Sequence, residues 1–129
     1  MRTIGPLSLP LALVSVAAAA AGPDIHVDVP PNSRGLEVNV VEQDLAPGQS
    51  TGWQIHHGYE VAYVLSGAVN LQMGGSPIRH ILKGDTFEVE RDVPLQVANG
   101  GSEPAALLIT YLRDKNGPVS IPVAAPAVR

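Results

Sequence analysis

The sequence predicts an all-β domain, built as a small antiparallel barrel or sandwich. Short runs rich in valine, leucine and isoleucine recur at even spacing, and turns bearing glycine or proline cut them apart. Beyond the N-terminal segment, no window of about eleven residues carries a 3.6-residue apolar period.

Residues 1–21 read as a secretory signal peptide. Arg2 is the only charge before Asp24, the run from Leu11 to Ala21 is apolar except for Ser15, and Ala19 and Ala21 offer a small-x-small cleavage signal before Gly22. The alternative is a retained membrane anchor. Pro6 and Pro10 interrupt that span and argue against it. Cleavage near Ala21 implies a secreted or periplasmic protein with no membrane in its mature form. Residues 22–35, GPDIHVDVPPNSRG, make an extended lead-in in which His26 has no special role.

The barrel is expected over residues 36–115. Its strands are LEVNVVE (36–42), VAYVLS (61–66), AVNLQM (68–73), IRHIL (78–82), TFEV (86–89), LQVA (95–98) and AALLITYL (105–112). Turn-rich LAPGQSTG (45–52), GGSP (74–77) and KGD (83–85) lie between them. Gly48 and Gly84 suit positive φ where the chain reverses. The tail, 116–129, carries Pro118, Pro122 and Pro126 and is expected to run extended along a neighbouring strand or subunit.

Composition narrows the function. The net charge is −4 with no basic run, so nucleic acid and anionic membrane surfaces are poor partners. Without cysteine there are no disulfides and no thiolate metal sites. No serine sits in a glycine elbow, which removes the usual nucleophile. Glu88, Glu90 and Asp92 alternate as a solvated outer face rather than a calcium loop.

Chemistry concentrates in WQIHHGYEVAYVLSG, residues 53–67. Side chains alternate faces along a strand, so Gln54 and His56 share one side, with His57 on the other. Gly58 lets the chain turn, and Glu60 can then approach from a neighbouring strand roughly 4.8 Å away. An amide, an imidazole and a carboxylate can hold a metal weakly or satisfy one another as a buried polar cluster. His57, turned inward by a bulge, or His80, if it faces inward from IRHIL, would substitute for a missing ligand.

The spacing resembles the first motif of the cupin superfamily: Gly48, five residues, Gln54-Ile55-His56, three residues, Glu60, six residues, Gly67. Gln54 stands where that motif has its first histidine. Gly84 to Asn99 has the length of the second motif, but Glu90 replaces its proline, Asp92 its glycine and Leu95 its metal-binding histidine. The resemblance covers about residues 36–112. It implies a single-domain cupin-like β-barrel, a double-stranded β-helix or jelly roll, often dimeric. Members with a full ligand set bind iron, manganese, nickel, zinc or copper and act as dioxygenases, decarboxylases, isomerases or lyases, or only bind small molecules.

The resulting expectation is an exported barrel that binds or converts a small organic molecule in its mouth, with an incomplete metal site. His56 and Glu60 would be the reactive pair, with Gln54, Val64, Met73, Leu95 and Val97 lining the pocket. His56, Glu60 and Gln54 would be the candidate ligands of one divalent transition metal. Without a metal, His56 and Glu60 form a titratable pair suited to acid–base chemistry or to orienting a ligand. The alternatives are a metal-dependent oxygenase, decarboxylase or isomerase with an unconventional ligand set, and a non-catalytic structural or sensing module that dimerises through its outer sheet.

Overall fold

A computed structural model describes residues 35–127 and the strand path of residues 24–27. The signal peptide expected over 1–21 lies outside the described residues, as does the side chain of His26. All regular structure described is β. The strands are β1 (Asp24–Val27), β2 (Leu36–Leu45), β3 (Gln54–Ile55), β4 (Gly58–Ser66), β5 (Ala68–Met73), β6 (Arg79–Leu82), β7 (Thr86–Val89), β8 (Leu95–Ala98), β9 (Ala105–Asp114) and β10 (Ile121–Pro122).

They form two antiparallel sheets of five strands, ordered β1-β2-β9-β4-β7 and β10-β3-β8-β5-β6. From β2 onward the chain crosses repeatedly between the sheets, the winding of a jelly roll or double-stranded β-helix. The core lies between them. Ala62, Val64, Phe87, Val89, Leu107 and Ile109 come from the first sheet and Val69, Leu71, Ile81, Leu95 and Val97 from the second. Strand alternation produces this: β9 buries Ala105, Leu107, Ile109, Tyr111 and Arg113 and turns Leu108 and Leu112 outward.

Three expected strands, 68–73, 86–89 and 95–98, keep their predicted bounds. Strands β2, β4 and β9 run longer, because β9 serves as a template for both its neighbours. It pairs with β2 from Leu36–Asp114 to Leu45–Ala105, and with β4 from Gly58 onward. The expected inward direction of His80 is corrected. β6 pairs only with β5, setting Ile81 opposite buried Val69, so Ile81 turns inward and Ile78, His80 and Leu82 stay exposed.

The ends of the two motifs meet. The Gly48 N–H donates to the Asn99 carbonyl at 2.8 Å, and the Asn99 N–H to the Gln49 carbonyl at 2.9 Å. The buried Asn99 amide also donates to the Leu45 and Glu103 carbonyls and accepts from the Gly101 N–H. Every polar group of Asn99 thus ties loops together, which is why an amide suits this position.

Gly58 is a close-approach position. A Cβ there would collide with the Leu112 carbonyl and with Arg113 Cα on β9. Gly58→Ala is expected to destabilise the protein by about 2–4 kcal/mol, since rigid backbone would have to move. Urea unfolding checks this.

Candidate functional site

The chain reaches the site where it passes from β3 to β4. Two hydrogen bonds clamp that crossing: the Asp92 N–H donates to the His56 carbonyl, and the Asp114 N–H to the His57 carbonyl, both at 3.0 Å. The clamp sends neighbouring histidines opposite ways. His56 is buried, 2% exposed, while His57 is exposed and its Nδ1 lies 2.6 Å from the Asp92 carboxylate.

Asp92 has φ 61°. This left-handed conformation favours glycine and is tolerated by aspartate, which explains why a glycine is usual at this point of the motif.

Glu60 is 2% exposed and stands on β4 between Val89 of β7 and Tyr111 of β9. Its Oε2 lies 3.0 Å from His56 Nε2. The distance is that of an ion pair, but the orientation is not that of a hydrogen bond, and both atoms are buried without a hydrogen-bond partner. On the other side of the ring, His56 Nδ1 lies 2.6 Å from the Val119 carbonyl. A carbonyl only accepts, so Nδ1 carries a proton. The Tyr111 ring packs 4.9 Å from the imidazole, tilted by 50°.

Charge follows from these contacts. Burial lowers the His56 pKa, but the facing Glu60 carboxylate and the Val119 carbonyl outweigh it and leave it above the ordinary 6.5. Burial, reinforced by Glu60, drives the Tyr111 hydroxyl far above the usual tyrosine range, so it stays protonated.

A second buried cluster flanks the pair. Arg113 meets the Glu37 carboxylate, donates through Nε to Asn39 Oδ1 at 2.6 Å, and donates through Nη1 to the Asp114 and Gly117 carbonyls. Asn39 is register partner to Tyr111, and Glu37 to Arg113. One end of the apolar interior is therefore polar, with Glu37, Asn39, His56, Glu60, Tyr111 and Arg113 all buried.

Of the expected site residues, the structure joins His56 and Glu60. Gln54 is half-buried, paired through the backbone with Leu95 and Pro122, and its amide makes no hydrogen bond to either residue. Leu95 is completely buried beside Gln54 and belongs to the core. Val64 lies four residues along β4 from Glu60, roughly 13 Å deeper at strand rise, and Val97 pairs with Leu71. Met73 sits at the edge, where it lines an outer hollow with Trp53, Gly74, Pro94 and Pro126. His57 and His80 are exposed, so neither supplies an inward ligand: the clamp directs one and the β6 register the other.

Tyr111, Arg113, Glu37, Asn39 and the Val119 carbonyl were not anticipated. Parity along β9 would have exposed Tyr111 and Arg113 once one inward residue was known. The strand is apolar on both faces, so its sequence does not say which face is inside.

As a metal centre the set is incomplete. Two donors 3.0 Å apart suit neighbouring ligands at about 2.1 Å from one ion, but among the described residues no cluster of three His, Cys, Asp or Glu could hold a metal.

Comparisons with known proteins agree with this architecture. Residues 41–111 match the family model described as Cupin domain. No curated protein sequence matches the chain. Among solved structures it resembles the DMSP lyase DddQ from Ruegeria pomeroyi (TM-score 0.57, 21% identity, 70% of this chain and 44% of that one). It resembles an oxalate oxidase in complex with the substrate analogue glycolate (TM-score 0.57, 25% identity, 69% and 46%). A Klebsiella pneumoniae protein with a double-stranded β-helix domain matches over 75% of this chain and 82% of its own (TM-score 0.53, 23% identity). The chain thus spans less than half of either enzyme's length.

The raised His56 pKa has a signed consequence for stability. Protonated His56 is favoured in the fold, so its contribution is fully present below about pH 6.5. It is lost as pH rises through the folded-state value. Urea midpoints of metal-free protein are expected to fall across that window, and Glu60→Gln to flatten the fall.

Proposed function

The chain belongs to the cupin family, and from that premise we propose that it is an exported protein that binds or converts a small organic molecule at the His56–Glu60 end of its interior. The observation that carries this reading is the buried pair itself. A carboxylate and an imidazole held 3.0 Å apart without a mutual hydrogen bond are costly to bury. Buried ionisable groups facing one another in this way are found where ligands are handled. The resembling enzymes, a DMSP lyase and an oxalate oxidase holding glycolate, act on small organic molecules, which supports the same class here.

The residues suit definite roles. Glu60 can accept a proton from a bound molecule, or orient it through its carboxylate. His56 can hold the matching charge at Nε2. Tyr111, kept neutral, packs against the imidazole and limits its rotation. Leu95 contributes an apolar wall rather than a donor.

A metal-dependent oxygenase, decarboxylase or isomerase is the second reading, favoured by the two facing atoms that lack hydrogen-bond partners. His56 Nε2 and Glu60 Oε2 would hold the ion, with Gln54 the nearest further candidate in sequence. A bound iron, manganese, nickel, zinc or copper ion would supply Lewis-acid polarisation of a substrate oxygen. A non-catalytic module is the third. It and a homodimer draw on an exposed strip on the outer face of the β1-β2-β9-β4-β7 sheet, where Tyr59 faces Leu112 and Tyr63 faces Leu108 across the β4–β9 ladder.

Melting of untagged mature protein with glycolate, other small carboxylates and single divalent metals separates these readings. A ligand at 100 times its Kd stabilises by about 2.7 kcal/mol. A rise with a carboxylate that vanishes in His56→Ala and Glu60→Gln is expected. Stoichiometric metal lost in His56→Ala would favour the second reading. No rise with any of them would favour the third. N-terminal sequencing of the exported chain is expected to begin at Gly22.

A further inference from the structure

After β9 the chain turns at Asn116, whose φ of 64° reverses its direction. The following segment is fastened at four points. Gly117 accepts from the Arg113 guanidinium at 2.6 Å, and Val119 meets His56 Nδ1 at 2.6 Å. Ile121 and Pro122 pair with β3, and the Val123 N–H donates to the Trp53 carbonyl at 3.0 Å. Pro126 then lies beside the point where Gly74 closely approaches it. Residues 117–126 thus run as a strap from buried Arg113, across the ring of His56, to the edge of the second sheet.

We propose that this strap is the positioning element of the site. Its Val119 carbonyl fixes His56 as the Nδ1–H tautomer, so that Nε2 is the atom presented towards Glu60, and Arg113 is the positioning residue that anchors the strap. A neutral imidazole carries one N–H. The part-buried Val119 carbonyl, 2.6 Å away, is placed to accept it from Nδ1, whereas Glu60 Oε2, although 3.0 Å from Nε2, is not aligned for a hydrogen bond, so the lone pair is left on Nε2. Val119 is also packed against the apolar core, so its carbonyl is held by its own side chain as well as by the Arg113–Gly117 bond. The inference deepens the proposed site and rests on that reading only where ligand affinity is concerned.

The test is nitrogen NMR of 15N-histidine-labelled protein, recorded with His56 in its neutral form. The full chain is expected to show protonated Nδ1 and unprotonated Nε2. Ending the chain after Pro118 removes the carbonyl and is expected to give a mixture of tautomers. Ending it after Val123 keeps the carbonyl and the β3 pairing, and should preserve the single tautomer. Arg113→Lys, which keeps the charge but not the guanidinium fork, is expected to shift the tautomer partway, and it decides the anchoring role if the shorter chain fails to fold. Mn2+ affinity should fall about 10–100-fold in the form lacking residues 119–129. An Nε2–H tautomer in the full chain overturns the proposal, as does an unchanged tautomer in both the shorter chain and Arg113→Lys. If no form binds Mn2+, the metal reading fails while the tautomer result stands.

Discussion

Two carboxylates are buried at the same end of one hydrocarbon interior, and a buried carboxylate must meet a cation or give up its charge. Glu37 lies against Arg113 and Glu60 against His56. Both partners are set by the path of β9 and its surroundings. Arg113 belongs to β9, and the turn bearing His56 is clamped between Asp92 and the end of β9 at Asp114. Gly58 has no side chain, so β4 can approach Arg113 closely enough for this to happen.

The two clusters differ in what they leave over. Arg113 turns four of its five donors to Glu37, Asn39 and the Asp114 and Gly117 carbonyls, and a guanidinium so held serves architecture. The His56–Glu60 contact is unsaturated, because one atom of each faces the other without a hydrogen bond. A chain that satisfies polar groups so fully at Arg113 and Asn99 leaves this pair as the point where an added molecule or ion has something to do.

The departures from the cupin pattern fall on residues the structure places outside the His56–Glu60 pair. Leu95 fills the core where a donor histidine is usual, and Gln54 makes no bond to the pair. Asp92 adopts the left-handed backbone expected of glycine, and its carboxylate lies 2.6 Å from Nδ1 of exposed His57. The pattern retained is the one that shapes the fold: Gly48 bonded to Asn99, Gly67 against Pro104 and Ala105, and Gly84 with φ 88° in the turn before β7.

Sequence by itself determined the all-β class, the bounds of three middle strands, the extended tail and the His56–Glu60 pairing. Each depends on local spacing: alternation, turn glycines, and the three residues between His56 and Glu60. The two do not come from neighbouring strands as expected, since β3 and β4 lie in different sheets and His56 sits in the crossing between them. It did not determine which face of β9 is interior, because Leu107 and Leu108, or Ile109 and Leu112, are equally apolar, and only packing against the second sheet breaks that tie. His80 was misdirected for the same reason, since parity on β6 comes from its pairing with β5. Tertiary structure alone brought Arg113, Glu37 and Val119 to the site. Their separation along the chain reaches 82 residues, as Glu37 and Val119 show, and such contacts are encoded in how the two sheets close rather than in any local pattern.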